Sequence, residues 1–313
     1  MKKIIRRIGI FIITVAVASI IVFLLLSALP GDAAATKLGT EASPEAVAHL
    51  RHDMGLDRPL YMRYASWAAG MLRGNMGISQ SSGVSISSDI FQGLQVTFLL
   101  VLIAMLIALI IAFIFGTLAA VLRDRPSGMV LSVISQIGVS IPAFLAGLLL
   151  VIVFSVALGW LPATGWAAPD DPVQFLRHVA LPAFSLGLVQ GAILSRYVRS
   201  AVLEVTTEDF MRTAQAKGLS FGQALRKHGI RNALVPIMNI VGVETASILI
   251  GAVVVERVFE IRGLGSLLVS SVENRDLPEV QAIVMVLVIM VLFVNLIVDL
   301  LSAIVDPRFG GER

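Results

Sequence analysis

Phe98-Leu99-Leu100-Val101-Leu102-Ile103-Ala104-Met105-Leu106-Ile107-Ala108-Leu109-Ile110-Ile111-Ala112-Phe113-Ile114-Phe115 is eighteen residues without a polar side chain. At about 1.5 Å of rise per residue it makes a helix about 27 Å long, close to the ~30 Å thickness of a bilayer's hydrocarbon. The stretch belongs to an apolar block, Val96–Ala120, and similar blocks recur on both sides of it. They are Ile8–Leu29, Met129–Ala157, Val179–Ser195, Ala233–Val255 and Val280–Val298. The chain has 313 residues, of which 57% are hydrophobic and 14% charged. Soluble domains carry roughly 25% charged residues, so the polar surface of a soluble fold is missing. A membrane β-barrel would show alternating segments of about ten residues, and none is present. The expected fold class is an all-α integral membrane protein with six transmembrane helices.

The first block follows Met1-Lys2-Lys3-Ile4-Ile5-Arg6-Arg7. A cleaved signal peptide begins in the same way, and Ala33-Ala34-Ala35 imitates a cleavage site. The apolar run is 22 residues long, however, beyond the roughly 7–15 of a signal core, so a retained first span is expected. The fourth block is the weakest, being short and interrupted by Pro182, Gly187, Gln190 and Gly191. Pro182 and Pro236 fall near block starts, where a missing N–H costs little. Pro142 lies inside the third block and predicts a kink.

Lys and Arg accumulate on the cytoplasmic side of membrane proteins. With the N-terminus inside, residues 1–8, 123–129, 196–233 and 299–313 hold 15 of the 24 basic residues, and the outer segments hold 9. Both termini are therefore expected in the cytoplasm. The outer segment 30–93 is long for a connection. Ser43-Pro44 reads as an N-cap followed by proline at the first helical position, and Val47, Leu50 and Met54 recur on one face before Gly55. A second helix is expected from near Pro59 to Gly74, with Leu60, Tyr64, Trp67 and Met71 along its apolar side. This segment reads as a small external cap packed on the spans, or as a surface that meets a soluble partner.

The inner stretch 196–233 is the most informative. Thr206 with Asp209 has capping-box spacing, and a short helix can follow through Phe210, Met211, Arg212, Thr213, Ala214, Gln215, Ala216 and Lys217. Gly218 can end it in the left-handed conformation. Ser220 with Gln223 repeats the spacing, and Phe221, Ala224, Leu225 and His228 give a second helix an apolar side. By itself this elbow also suits a basic loop riding on anionic lipid.

Catalytic chemistry is thinly represented. There are no cysteines, and His49, His52, His178 and His228 are scattered. No G-x-x-x-x-G-K-[S/T] phosphate loop, H-E-x-x-H or G-x-S-x-G occurs. Glu244 is the one ionisable residue well inside the fifth block, and a charge there must face a partner, a cavity or a water path. It suits contact with the amino group of a passing substrate, or a hydrogen bond between spans to Gln136, Gln190 or Asn239. Arg196, Arg199 and Asp299 lie near the inner boundary and read as interface anchors.

Arg212-Thr213-Ala214-Gln215-Ala216-Lys217-Gly218 resembles the diverged "EAA, three residues, glycine" motif of permease subunits in bacterial ABC importers. The chain is similar throughout to the dipeptide, oligopeptide and nickel permease family, in the type with a long periplasmic loop after the first span. Further matches are Leu29-Pro30-Gly31-Asp32, Gly55-Leu56-Asp57-Arg58-Pro59-Leu60-Tyr61, Leu72-Arg73-Gly74-Asn75-Met76-Gly77 and Gly159-Trp160-Leu161-Pro162. Downstream lie Val255-Glu256-Arg257-Val258-Phe259, Gly263-Leu264-Gly265, Asn274-Arg275-Asp276 and Asp306-Pro307-Arg308. The motif carries over to Ala214 and Gly218, whereas Arg212 and Thr213 stand where the family usually has Glu and Ala. Pro236 lies farther from Gly218 than the family's distal proline.

The resemblance implies a bacterial inner-membrane, multi-pass permease subunit that hydrolyses nothing itself. Its partners would be a second homologous permease, two cytoplasmic ATPase subunits, a periplasmic solute-binding protein and membrane lipids, with no nucleic acid. This chain would bind no cofactor, and ATP and magnesium would be used by the ATPases. The residues expected to couple to an ATPase groove are Phe210, Arg212, Thr213, Ala214, Lys217 and Gly218. Glu244 is the expected pathway residue. The expected organisation is 1–29 as basic start and first span, 30–93 as periplasmic cap, and 94–313 as permease core with coupling loop 196–233. Di- or oligopeptides are the first substrate expectation, with nickel complexes or glutathione as alternatives. A secondary transporter or channel is the rival of another class.

Overall fold

The computed structural model describes residues 2–28, 43–53 and 55–305. The Leu29-Pro30-Gly31-Asp32 and Asp306-Pro307-Arg308 matches, the Ala33-Ala34-Ala35 run, Met54 and the side chain of Leu50 lie outside the described residues. The described chain is helical, and five of its helices are long and apolar enough to cross a membrane. A helix pair bent by 100°, Pro126–Ser140 with Ala143–Ala157, makes a sixth when counted as one span. The chain divides into two compact units, with divisions at residues 96/97, 261/262 and 292/293, the first and last falling inside long helices.

The first unit contains α1 (Lys2–Ser27), α2 (Pro44–Asp53) and α3 (Leu60–Leu72). It also holds the start of α4 (Ile86–Val121), all of α11 (Leu264–Glu273), and α12 (Leu277–Val305) as far as residue 292. The Ser43 hydroxyl accepts the Ala46 N–H at 3.2 Å, as an N-cap should. α3 lies along the second half of α1. Ser19 and Tyr64 hydroxyls are 2.8 Å apart, and the Phe23 ring sits 5.5 Å from Tyr64 and 5.7 Å from Trp67. The expected face of α3 is therefore used at Tyr64 and Trp67 but not at Leu60, which stays 51% exposed. Periodicity marks a face; it does not say how far along it a neighbour reaches. Ile86, Ile90, Leu264, Ala282, Ile283 and Val286 form this unit's core, with Met71 packed against it.

The second unit holds the rest of α4 and α12, together with α5 (Pro126–Ser140), α6 (Ala143–Leu150) and α7 (Pro172–Thr207). α8 (Asp209–Ala216), α9 (Phe221–Ala224) and α10 (Ile230–Val258) complete it. Pro142 does more than kink the third span. Ile141 (φ −92°, ψ 120°) and Pro142 (φ −60°, ψ 142°) are both extended, and the helix stops and restarts. Proline's ring disfavours the helical region for the residue before it, which explains why the break begins at Ile141. α6 then continues into a π turn at Val151–Ala157.

The fourth span differs most from its sequence expectation. Its helix runs 36 residues, well beyond Val179–Ser195, and 67% of its most apolar stretch is buried. A Cβ on Gly187 would come 2.7 Å from Ile107 Cγ2, and one on Gly191 would come 2.8 Å from Ile111 Cβ. On α4, a Cβ on Gly116 would meet the Ser195 carbonyl oxygen at 2.6 Å. Small residues let helix backbones approach closely within membranes. The features that weaken this block as an isolated span are those that place it at the centre of its unit. Pro182 and Pro236 also lie inside helices α7 and α10, not at their starts. Both helices extend outward past the apolar blocks, so the proline positions become interior.

Candidate functional site

α7 ends at Thr207, and Glu208 (φ −69°, ψ 148°) turns the chain into α8. The expected Thr206–Asp209 capping box does not form. The Thr206 hydroxyl donates to the Leu203 carbonyl at 2.7 Å, and Glu208 caps α8 without a side-chain bond. Val202 and Val205 are buried, which carries α7 past Thr206 before it breaks.

α8 is amphipathic in a simple way. Met211 and Ala214 are 1% and 7% exposed and join a core with Val205, Ala224 and Leu225. Phe210, Arg212, Thr213 and Lys217 are exposed on the remaining faces. The Thr213 hydroxyl folds back onto the Asp209 carbonyl at 2.9 Å, and Arg212 stands 3.8 Å from the exposed Asp209 carboxylate.

The end of α8 follows from Gly218. Its φ is +90°, its N–H donates to Gln215 O at 2.9 Å, and the Leu219 N–H donates to Ala214 O at 3.2 Å. These are the paired bonds of a Schellman ending. A Cβ at Gly218 would touch nothing within 4 Å, so the requirement is for backbone conformation rather than space.

Ser220 then forms the expected box. Its oxygen accepts the Gln223 N–H at 3.4 Å, and its N–H donates to Gln223 Oε1 at 3.0 Å. The following helix departs from expectation in phase. Ala224 and Leu225 are buried, but Phe221 and His228 are exposed and Gly229 is buried instead. A π turn spans Leu225–Gly229, and its i→i+5 bonding brings residue 229 beneath residue 224. The turn leads directly into α10, so residues 221–258 make one unbroken helical rod.

Glu244 lies on α10, half-buried, and accepts the Gln190 Nε2 hydrogen at 2.7 Å. Of the three partners named from the sequence, Gln190 takes the role; Gln136 and Asn239 are exposed. Arg196 and Asp299 are exposed, and Arg199 is partly buried.

Three buried carboxylates, Glu256, Asp276 and Glu279, were assigned no role from the sequence. Glu256 is 0% exposed and accepts the Thr97 hydroxyl at 2.6 Å. Its block ended at Val255, so it fell into the outer loop; its place beside the buried end of a span was the available signal. Asp276 is 1% exposed and accepts from the Ser79 hydroxyl at 2.6 Å and from the Ser81 N–H and hydroxyl, each at 3.0 Å. The Glu279 N–H adds a fourth bond at 3.2 Å. Burial alone would raise this carboxyl, but the donors from Ser79, Ser81 and Glu279 outweigh it and hold it below its usual value. Among the described residues, no three His, Asp or Glu side chains gather as a metal site.

The family described as the inner membrane component of binding-protein-dependent transport systems matches residues 112–311. Its N-terminal counterpart matches residues 1–86. The chain belongs to this family. As a member it is the membrane-spanning permease subunit of an ABC importer and carries no ATPase chemistry itself. It is 37% identical over 307 residues to the glutathione transport system permease protein GsiC of Escherichia coli (strain K12), covering 98% of each chain. The GsiC protein of Shigella dysenteriae serotype 1 (strain Sd197) matches equally, at 37% over 98% of each. Among solved structures, the inward-facing MetNI methionine ABC transporter superposes with a TM-score of 0.59 at 18% identity, covering 70% of this chain and 96% of that one. An amino acid ABC transporter with histidines gives 0.52 at 18% identity, over 69% and 94%. These two likenesses concern the fold.

Proposed function

We propose that this permease forms half of the membrane path of a glutathione importer. The observation that carries the reading is the 37% identity to glutathione permeases across 98% of both chains. Di- and oligopeptides were the first expectation from the sequence; these relatives move glutathione, itself a short peptide, ahead of them. A second permease, two ATPases and a periplasmic binding protein complete the assembly, and ATP with magnesium is used by the ATPases.

The 196–233 segment is the ATPase handle in this reading, and both termini lie in the cytoplasm. Met211 and Ala214 root α8 in the core beneath α7 and α10, while Phe210, Arg212, Thr213 and Lys217 face outward for a groove. A push on α8 passes through this core to the helical rod of residues 221–258. Segment 30–93 lies outside, where α3 is held against α1.

The test is uptake of radiolabelled glutathione by cells lacking their own importer and supplied with this permease and its native partners. Energy-dependent glutathione uptake, weakly competed by unrelated dipeptides, is expected. Uptake of dipeptides or nickel with none of glutathione overturns the substrate assignment.

A further inference from the structure

Glu244 is the fifteenth of the 29 residues of α10, and Gln190 is the nineteenth of the 36 residues of α7. Two helices that cross a membrane thus bring their polar side chains together at mid-length, about 20 Å from either end of α10 at 1.5 Å per residue. That is the depth at which a carboxylate is least tolerated. Gln190 is 4% exposed. The close approach of Gly187 to Ile107 and of Gly191 to Ile111 fixes the turns of α7 on either side of it. Glu244 is only half-buried, and its neighbours Val243 and Ser247 are exposed.

The pair is chemically incomplete. Gln190 Nε2 satisfies Glu244 Oε2 at 2.7 Å, yet a neutral amide balances no charge. Among the described residues, neither Lys nor Arg pairs with Glu244. Glu244 Oε1 and the side-chain oxygen Oε1 of Gln190 accept no hydrogen bond among the described residues. Two free acceptors, one of them a carboxylate oxygen, stand in mid-membrane beside the exposed side of α10 at Val243 and Ser247. An ammonium group has three N–H donors and one positive charge, and it meets both deficits.

We infer that Glu244 and Gln190 form a mid-membrane subsite for the free amino group of the transported peptide. Glu244 supplies the charge. Gln190 is a positioning residue: it holds one carboxylate oxygen and leaves the other turned to the path, with its own carbonyl as a second acceptor. This rests on the reading of the chain as a permease for glutathione, whose free amine would be the ligand.

The experiment uses the complete transporter in proteoliposomes with ATP. Uptake of glutathione is compared with that of N-acetylglutathione, each saturating the soluble receptor, for wild type, Glu244→Gln, Glu244→Asp and Gln190→Met. The expected result is a preference for the free amine in wild type, retained in Glu244→Asp. The preference collapses in Glu244→Gln, and Gln190→Met weakens it. A merely structural contact would lower both substrates together and leave their ratio unchanged, and that result overturns the inference. So does an unchanged ratio in Glu244→Gln at full uptake, as expected of a carboxylate facing the second permease. If wild type moves another amine-bearing peptide but no glutathione, the substrate reading fails. The same four proteins then test the subsite with that peptide and its N-acetyl form.

Discussion

Gly218 holds φ at +90° with open space where a side chain would be. The left-handed region costs an ordinary residue about 1–2 kcal/mol, more when the side chain is β-branched and less for Asn. Gly218→Val is therefore expected to loosen the end of α8 and cut substrate uptake strongly, while membrane insertion survives. Gly218→Asn should retain most uptake, and the ratio of ATP hydrolysed to substrate imported checks both. Asp276 makes a second residue-scale prediction. Its carboxyl is held below the ordinary value of 3.8, so its four bonds stabilise the fold at neutral pH, and this contribution fades as pH falls below about 4. Thermal melting in detergent should show Asp276→Asn less stable than wild type at pH 7. The gap should narrow as pH falls below about 4.

At the scale of elements, legibility depended on whether a signal was local. Uninterrupted apolar runs located the spans, and Ser220 with Gln223 announced a capping box that forms. Glycine at the end of α8 was legible for the same reason. Thr206 was misleading, because burial of Val205 decides where α7 ends. The π turn at Leu225–Gly229 left no trace in spacing, so His228 was assigned to the face that Gly229 occupies. The Glu244 partner was one of three amides, and only the packing of α7 chose Gln190. Deleting the exposed Lys227 would turn the π register back to α, and the present Gly229, then four positions after Ala224, would still lie beneath it. Ala224 and Leu225 should therefore keep their core, and uptake by the deletion variant should stay tied to ATP hydrolysis, which a coupled uptake assay beside wild type checks. Gly187→Leu tests the α4–α7 contact: a side chain 2.7 Å from Ile107 and 2.9 Å from the Ala104 carbonyl should cost about 1–3 kcal/mol, read as a lower melting temperature.

The whole molecule joins a sequence-visible frame of membrane helices to an interior arrangement that sequence alone leaves open. Family membership accounts for the helices, and the basic bias of residues 1–8, 123–129, 196–233 and 299–313 supports cytoplasmic ends. A reporter fused after residue 305 should be active on the cytoplasmic face and silent when that face is sealed from substrate. The central placement of α7 also bears on how the protein is made. An insertion channel judges each segment by its contact with lipid, and α7 offers Gly187, Gln190, Gly191 and an interior Pro182. Its neighbour α4 leaves the ribosome first and already carries the ledge into which those glycines fit. Biogenesis then becomes ordered: α7 should integrate poorly when grafted alone into a host protein and efficiently when α4 precedes it. Glycosylation mapping in microsomes would show that dependence, and equal integration in both settings would mean that α7 enters the bilayer unaided.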